Sequence, residues 1–229
     1  MSIGLLVAIL SIGTAIICFF LGLIVLGRDI SNNINFNFCI FAWLVALWEG
    51  LSYAFYLNQD NFQLYKFSIV AAAACLLMIA PWVLYLVENK PNWIVMTSFY
   101  IMSFVLITVP FWDKNVMSNF SNLGNMYIYD VGVSYYIYAA LVFLSVGYSF
   151  YLLIKNFISS EGLQRTRILF VLIGMIVYVV GELVMGVILP LFKLTPSVPY
   201  DNFGAVFFVI FSSYAILKVV PVDPLKSIV

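Results

Sequence analysis

Apolar residues follow one another along this chain in runs of about twenty, and short polar stretches separate the runs. A hydrocarbon core of about 30 Å is crossed by roughly 20 residues of α-helix. Irregular backbone cannot face lipid, because its polar groups would lack hydrogen-bond partners. Each run is therefore predicted to be a membrane-spanning helix. The predicted spans cover residues 3–26, 36–57, 64–87, 93–111, 133–157, 168–192 and 198–220.

These spans predict an all-α membrane protein, a seven-transmembrane helix bundle that forms a single domain over residues 1–229. Most connections contain turn-forming residues, as in Glu88-Asn89-Lys90-Pro91, so consecutive helices are expected to be neighbours. The stretch from Trp112 to Gly132 is different, because it is polar and long for a structureless loop. We expect it to be functional or partly folded on the membrane surface.

Composition excludes several function classes. Hydrophobic residues make up 65% of the chain and charged residues 9%. A chain of this composition has too few polar residues to cover the surface of a soluble domain. Histidine is absent, so the usual ligands of a zinc site and the usual base of a catalytic dyad are missing. The three cysteines lie inside predicted spans, where a disulfide framework is not expected. We expect no catalytic residues, no cofactor, no metal and no nucleic-acid partner. The lipid bilayer is the expected environment.

The basic residues predict the orientation, because cytoplasmic loops carry an excess of Lys and Arg. With the N-terminus outside, the inner loops and C-terminal tail hold most of the 10 basic residues. These are Arg28, Lys90, Lys155, Arg165, Arg167, Lys218 and Lys226, against Lys66, Lys114 and Lys193 on the other side. The expected topology is a multi-pass protein of the cell membrane with the N-terminus outside and the C-terminus in the cytosol.

Two acidic residues lie deep inside predicted spans, Glu49 in the second and Glu182 in the sixth. A charge in mid-membrane is costly and usually faces the interior of the bundle. At about 1.5 Å per residue from the predicted cytosolic ends, the two acids lie roughly 20 and 22 Å into the membrane, so they share one depth. Three roles stay open: a pair that shares one proton, a seat for a cationic ligand, or two separate neutral hydrogen-bond donors.

Aromatic residues accompany Glu49 on the second span and could wall a cavity or hold a cation. They are Trp43, Trp48, Tyr53 and Tyr56. Ordinary packing in a membrane helix explains the same residues. The predicted ligand-binding residues are Glu49, Glu182, Trp48 and Tyr53.

Five short motifs occur in a recognisable order along the chain. They are Asn35-Phe36-Asn37-Phe38, Ala46-Leu47-Trp48 followed by Tyr53, Gln164-Arg165-Thr166-Arg167 ahead of Gly174, Pro190, and Tyr214-Ala215-Ile216-Leu217-Lys218. This order resembles the N-terminal seven-transmembrane sensor region of bacterial and archaeal histidine kinases. The resemblance implies that the seventh helix passes a signal to a cytosolic PAS or kinase module. Since the chain has no histidine, phosphotransfer is expected to reside in another module or a partner.

Three function classes compete on these grounds. The leading hypothesis is a receptor-type sensor, in which a small or lipophilic ligand, or a proton, moves the seventh helix, with Pro81 of the third span as a candidate hinge. The alternative is a small-solute transporter with parallel three-helix repeats, in which Glu49 and Glu182 occupy matching second helices. A retinal photoreceptor needs a lysine in mid-span, and no predicted span has one there. The sequence leaves open the identity of the ligand and the oligomeric state, a homodimer included.

The predicted topology is testable by thiol labelling of a variant in which the three native cysteines are replaced. A cysteine at Ser2 is expected to react with an impermeant reagent in intact cells, because the basic residues cluster at the opposite side. A cysteine added after Val229 is expected to react only after permeabilisation. The reverse pattern would show that the topology is inverted.

Overall fold

The computed structural model describes residues 3–58, 60–88, 91–112, 117–122, 126–182, 184, 188–189, 192, 195–196 and 202–219. Within that part of the chain, seven helices of at least 18 residues have defined bounds. They are α1 (Ile3–Arg28), α2 (Asn33–Leu57), α3 (Phe62–Val87), α4 (Trp93–Trp112), α5 (Val133–Ser159), α6 (Gly162–Glu182) and α7 (Asn202–Val219). Three short strands, β1 (Met117–Asn122), β2 (Met126–Val131) and β3 (Thr195–Pro196), form one small sheet.

The helices agree with an all-α membrane bundle. Among the described residues, α2, α3, α5, α6 and residues 9–28 of α1 are long and apolar enough to cross a membrane. Shorter apolar stretches lie in α4 (Trp93–Val105) and α7 (Gly204–Leu217). The predicted sixth span extends past Glu182 through residues that are described only in part. Pro190 and the predicted start of the seventh span at residue 198 lie outside the described residues.

Asparagine side chains fix the starts of three helices. The side chain of Asn32 accepts a hydrogen bond from the Ile34 amide at 2.9 Å, and that of Asn61 accepts from Gln63 and Leu64. Asn92 does the same for the first turn of α4. A side-chain oxygen at this position satisfies amides that have no partner within the helix. The second and third helices therefore begin before their apolar periodicity does, at residues 33 and 62.

The third helix is the most deeply buried of the five long apolar helices. Every residue from Ala73 to Leu84 is buried, as expected for a helix that is apolar on all sides. It contacts α2, α4 and α5, while α1 contacts α2 and α7, and α6 contacts α5 and α7. These contacts close a ring of six helices, and α4 packs on α3.

Pro81 lies inside α3 without ending the helix. Its ring nitrogen has no hydrogen, so the carbonyl of Leu77 loses its usual donor four residues on. The hydroxyl of Ser145, on α5, donates to the Leu77 carbonyl at 3.4 Å and to the Leu76 carbonyl at 3.5 Å. A neighbouring helix thus compensates, through a weak shared hydrogen bond, for the donor that the proline removes.

The small sheet forms from the stretch between α4 and α5 and from the connection before α7. Strand β1 pairs antiparallel with β2, and β2 pairs with β3. A bulge interrupts the first pairing near Asn119, which has a φ of 52° and donates to a carboxylate oxygen of Asp130 at 2.9 Å. The side chains of Met117 and Tyr129 are buried, and the Tyr65 hydroxyl of α3 donates to that of Tyr129 at 3.3 Å. The hairpin is therefore docked on the bundle.

Two glycines let α6 and α7 approach each other closely. A Cβ atom added at Gly174 would lie 3.1 Å from the Phe208 backbone, and one added at Gly204 would lie 3.0 Å from the Tyr178 backbone. Neither backbone can move away without separating the helices. Small residues at such contacts are typical of helix pairs in membranes.

We expect Gly174→Ala and Gly204→Ala each to destabilise the bundle by about 1–3 kcal/mol, because the added methyl group forces the two helices apart. Gly147→Ala is the matched control, since no atom lies within 4 Å of its Cβ position. The control should be neutral or stabilising by up to about 1 kcal/mol. Unfolding of the purified protein in lipid discs measures all three, and equal stability of all three variants would contradict the close packing of α6 on α7.

Candidate functional site

Both mid-membrane acids lie inside the bundle. Glu49 of α2 has no exposed surface and Glu182, the last residue of α6, is 2% exposed. A carboxylate at this depth would be costly on a lipid-facing surface, which explains why both side chains are directed away from lipid. Their helices, α2 and α6, lie in opposite parts of the ring.

Two buried thiols lie between the helices that carry the acids. Cys75 of α3 is within electrostatic range of Glu49, Glu182 and Cys18. Cys18 of α1 is likewise within range of Glu49. We call Cys18, Glu49, Cys75, Tyr178 and Glu182 the acid cluster.

Tyr178 belongs to the cluster because it lies one turn before Glu182 on α6, and residues four apart share a helix face. Its hydroxyl lies near the Cys75 thiol. Its ring stacks on Phe208 of α7, with the centroids 5.6 Å apart and the planes 13° apart. It also meets Phe41 edge-on at 6.2 Å. One buried member of the acid cluster thus packs against the last helix.

The aromatic residues predicted from the sequence are distributed over different faces of α2. Trp48 is buried, and its ring lies 6.4 Å from that of Tyr178. Tyr53, one turn beyond Glu49, is half-buried, as is Tyr56. Trp43 is 39% exposed and stacks on Phe19 of α1 at 5.7 Å, so it packs between two helices at the outside of the bundle.

A compact group of rings continues from Tyr178 towards the start of α2. Trp82 of α3 stacks on Phe41 at 6.3 Å and meets Phe208 edge-on at 5.8 Å, while Phe38 lies 5.6 Å from Trp82. All four side chains are fully buried. Helices α2, α3, α6 and α7 are therefore in contact through rings that leave little room for independent movement.

Sequence reasoning missed Tyr178, Cys75 and Cys18. Tyr178 could have been predicted from the sequence, because it precedes Glu182 by four residues and therefore lies on the same helix face. The cysteines could not, since a thiol in an apolar run looks like any other small core residue. Among the described residues, no group of three or more His, Cys, Asp or Glu side chains is placed to hold a metal ion. The chemistry available to the acid cluster is proton exchange, hydrogen bonding and attraction of a cation.

The family of the chain follows from comparison with known sequences. The family described as the N-terminal 7TM region of histidine kinase matches residues 10–221. The chain belongs to this family. No curated protein and no solved structure matches the chain. The protein is therefore a multi-pass membrane protein. The matched region is a sensor region of histidine kinases and not their catalytic domain. Membership of this family implies a cytosolic kinase module as the partner of the sensor region.

Replacement of Tyr178 separates its ring from its hydroxyl. We expect Tyr178→Leu to lower the stability of this sensor region by about 3 kcal/mol, because the rings of Phe41, Trp48 and Phe208 lose their neighbour. Tyr178→Phe keeps the ring and should cost only about 1 kcal/mol. Unfolding in lipid discs distinguishes the two, and an equal loss in both variants would contradict the packing role of the ring.

Proposed function

We propose that this sensor region detects a proton, or a small or lipophilic ligand, at the acid cluster and passes the signal through α7 to a cytosolic kinase module. Membership of the histidine-kinase sensor family supports the role of receptor. The stacking of Tyr178, which lies one turn before Glu182, on Phe208 of α7 is the observation that supports this route. Glu49, Glu182, Trp48 and Tyr53 are the proposed contacts of the ligand.

The proposed mechanism starts with a change of charge at Glu49 or Glu182. A carboxylate that gains or loses a proton, or pairs with a cation, changes which side chains can approach it. Tyr178 lies one turn from Glu182, so its ring shifts with the local packing of α6. Because Phe208 stacks on that ring and Gly204 lies against its backbone, α7 moves together with α6. The signal is a choice between two packings of the bundle.

Two features support a defined path of movement. The Ser145 hydroxyl bridges α5 to the part of α3 in which Pro81 interrupts the backbone hydrogen bonds, which makes this region the proposed hinge. At the other end of the bundle, Arg28 of α1 donates to the carbonyls of Ile216 and Leu217 at 2.7 and 2.6 Å. Helix α7 is thus held at its end by α1 and in its middle by α6.

A transporter is the second candidate, and one observation favours it. The ring contains α1–α2–α3 and α5–α6–α7, with α4 packed against α3, and each triplet carries a buried acid on its second helix. Parallel repeats of this kind occur in transporters with sites near mid-membrane. Uptake of a small solute into proteoliposomes would support the transporter, and a sensor shows no uptake.

Fusion of the chain to a compatible kinase module tests the sensor proposal, with external pH as the probe. Kinase output is expected to change with pH, and Glu49→Gln and Glu182→Gln are each expected to remove most of that change, because Gln keeps the shape and loses the titratable group. Glu161→Gln, at an exposed acid, is the matched control and should respond as the parent does. Identical response curves for the parent and both core variants would rule out the acids as the sensing groups.

A further inference from the structure

The guanidinium of Arg167 is a buried charged group outside the acid cluster. This residue lies in the second turn of α6 and is only 7% exposed. Its Nε and Nη2 atoms are buried and have no hydrogen-bond partner among the residues that the structure describes. A buried charge without a partner is costly, so such a group is usually found with a counter-ion.

The two atoms concerned belong to one edge of the guanidinium. Nε and Nη2 carry parallel N–H groups whose spacing matches two oxygens of a phosphate or carboxylate. This edge is the one that binds an oxyanion through two hydrogen bonds. The feature therefore indicates a ligand class and not merely a positive charge.

The charge of a second arginine reaches Arg167. Arg28, at the end of α1, is within electrostatic range of it, and the two charges repel each other. One amino group of Arg28 is already committed to the carbonyls of Ile216 and Leu217 at the end of α7. An oxyanion between the two arginines would relieve the repulsion and supply the missing acceptor for Arg167.

The position on α6 favours a ligand from the membrane surface. Leu163 and Leu169, on either side of Arg167, are 62% and 41% exposed, so this end of the helix presents apolar side chains to lipid. Thr166 and Arg165 are also exposed. A long Arg side chain can turn towards such a surface while its stem stays packed.

We propose that Arg167, together with Arg28, binds a phosphate group at the membrane edge next to the end of α7. The phosphate is that of an anionic phospholipid or free phosphate, which share this chemistry. Binding depends only on the two arginines, whereas any effect on kinase output rests on the proposed function. Because Arg28 also holds the end of α7, an occupied site would fix the position of the end that carries the signal.

The test uses the purified full chain in neutral detergent and follows its Tm. Short-chain phosphatidylglycerol, short-chain phosphatidylcholine and sodium phosphate at constant ionic strength are titrated separately, because a ligand of the folded state raises the Tm. The parent chain is expected to respond to phosphatidylglycerol or to phosphate and not to phosphatidylcholine. A response to phosphatidylglycerol alone identifies the lipid as the source, and a response to both identifies any accessible phosphate.

Three variants locate the site. Arg167→Gln is expected to raise about tenfold the ligand concentration that gives a half-maximal rise in Tm. Loss of one charge-assisted hydrogen bond weakens binding by about this factor. Arg167→Lys keeps the charge but loses the two-donor edge, so it should fall between Gln and the parent and also serves if the Gln variant does not fold. Arg165→Gln is the matched control, because Arg165 lies over the Phe157 ring at 4.7 Å and is exposed.

Several results would overturn the proposal. Equal responses to the two lipids without a response to phosphate, or an unchanged response in both Arg167 variants, would show that no phosphate binds there. An equal loss in Arg165→Gln would show a general surface charge effect. None of these results depends on the kinase fusion.

Discussion

A carboxyl group in the middle of a membrane costs a few kcal/mol, so Glu49 and Glu182 persist there only because other helices surround them. The ring of α1, α2, α3, α5, α6 and α7 supplies that enclosure. Helix α3, which is continuously buried from Ala73 to Leu84, carries Cys75, the thiol within electrostatic range of both acids. The arrangement of the other helices follows from this requirement, because each must turn an apolar face to lipid and its polar residues to the centre.

Close packing of α6 against α7 links the buried acid Glu182 to the last helix. Tyr178 lies one turn before Glu182 and stacks its ring on Phe208, while the glycines at positions 174 and 204 keep the α6 and α7 backbones in contact. A local change at Glu182 therefore cannot be absorbed by loose side chains between the helices. The opposite end of α7 is tied to α1 through Arg28. The proposed mechanism requires such a connection between the interior of the bundle and its last helix.

The sequence predicted the helices and the buried acids because both leave one-dimensional signals. Span length is set by membrane thickness, and a charge inside an apolar run is visible without a structure. The hairpin was less visible, since β1 reads Met-Ser-Asn-Phe-Ser-Asn and only the alternation and aromatic content of β2 favour a strand. Cys75 and Tyr178 joined the site through packing between distant helices. Arg167 counted only as a cytosolic charge, because burial of its guanidinium depends on neighbouring helices that the local sequence does not specify.

The central claim is that a change of charge at the acid cluster moves α7. Spin labels on cysteines introduced at position 158, at the end of α5, and position 218, on α7, measure this movement in liposomes. The three native cysteines are buried and stay in place. The account predicts that the distance between the labels shifts by about 1–2 Å or more between acidic and alkaline external buffer. It also predicts that the shift disappears when Glu49 and Glu182 are both replaced by Gln. The same distance in both buffers, or a shift that persists in the double variant, would contradict it.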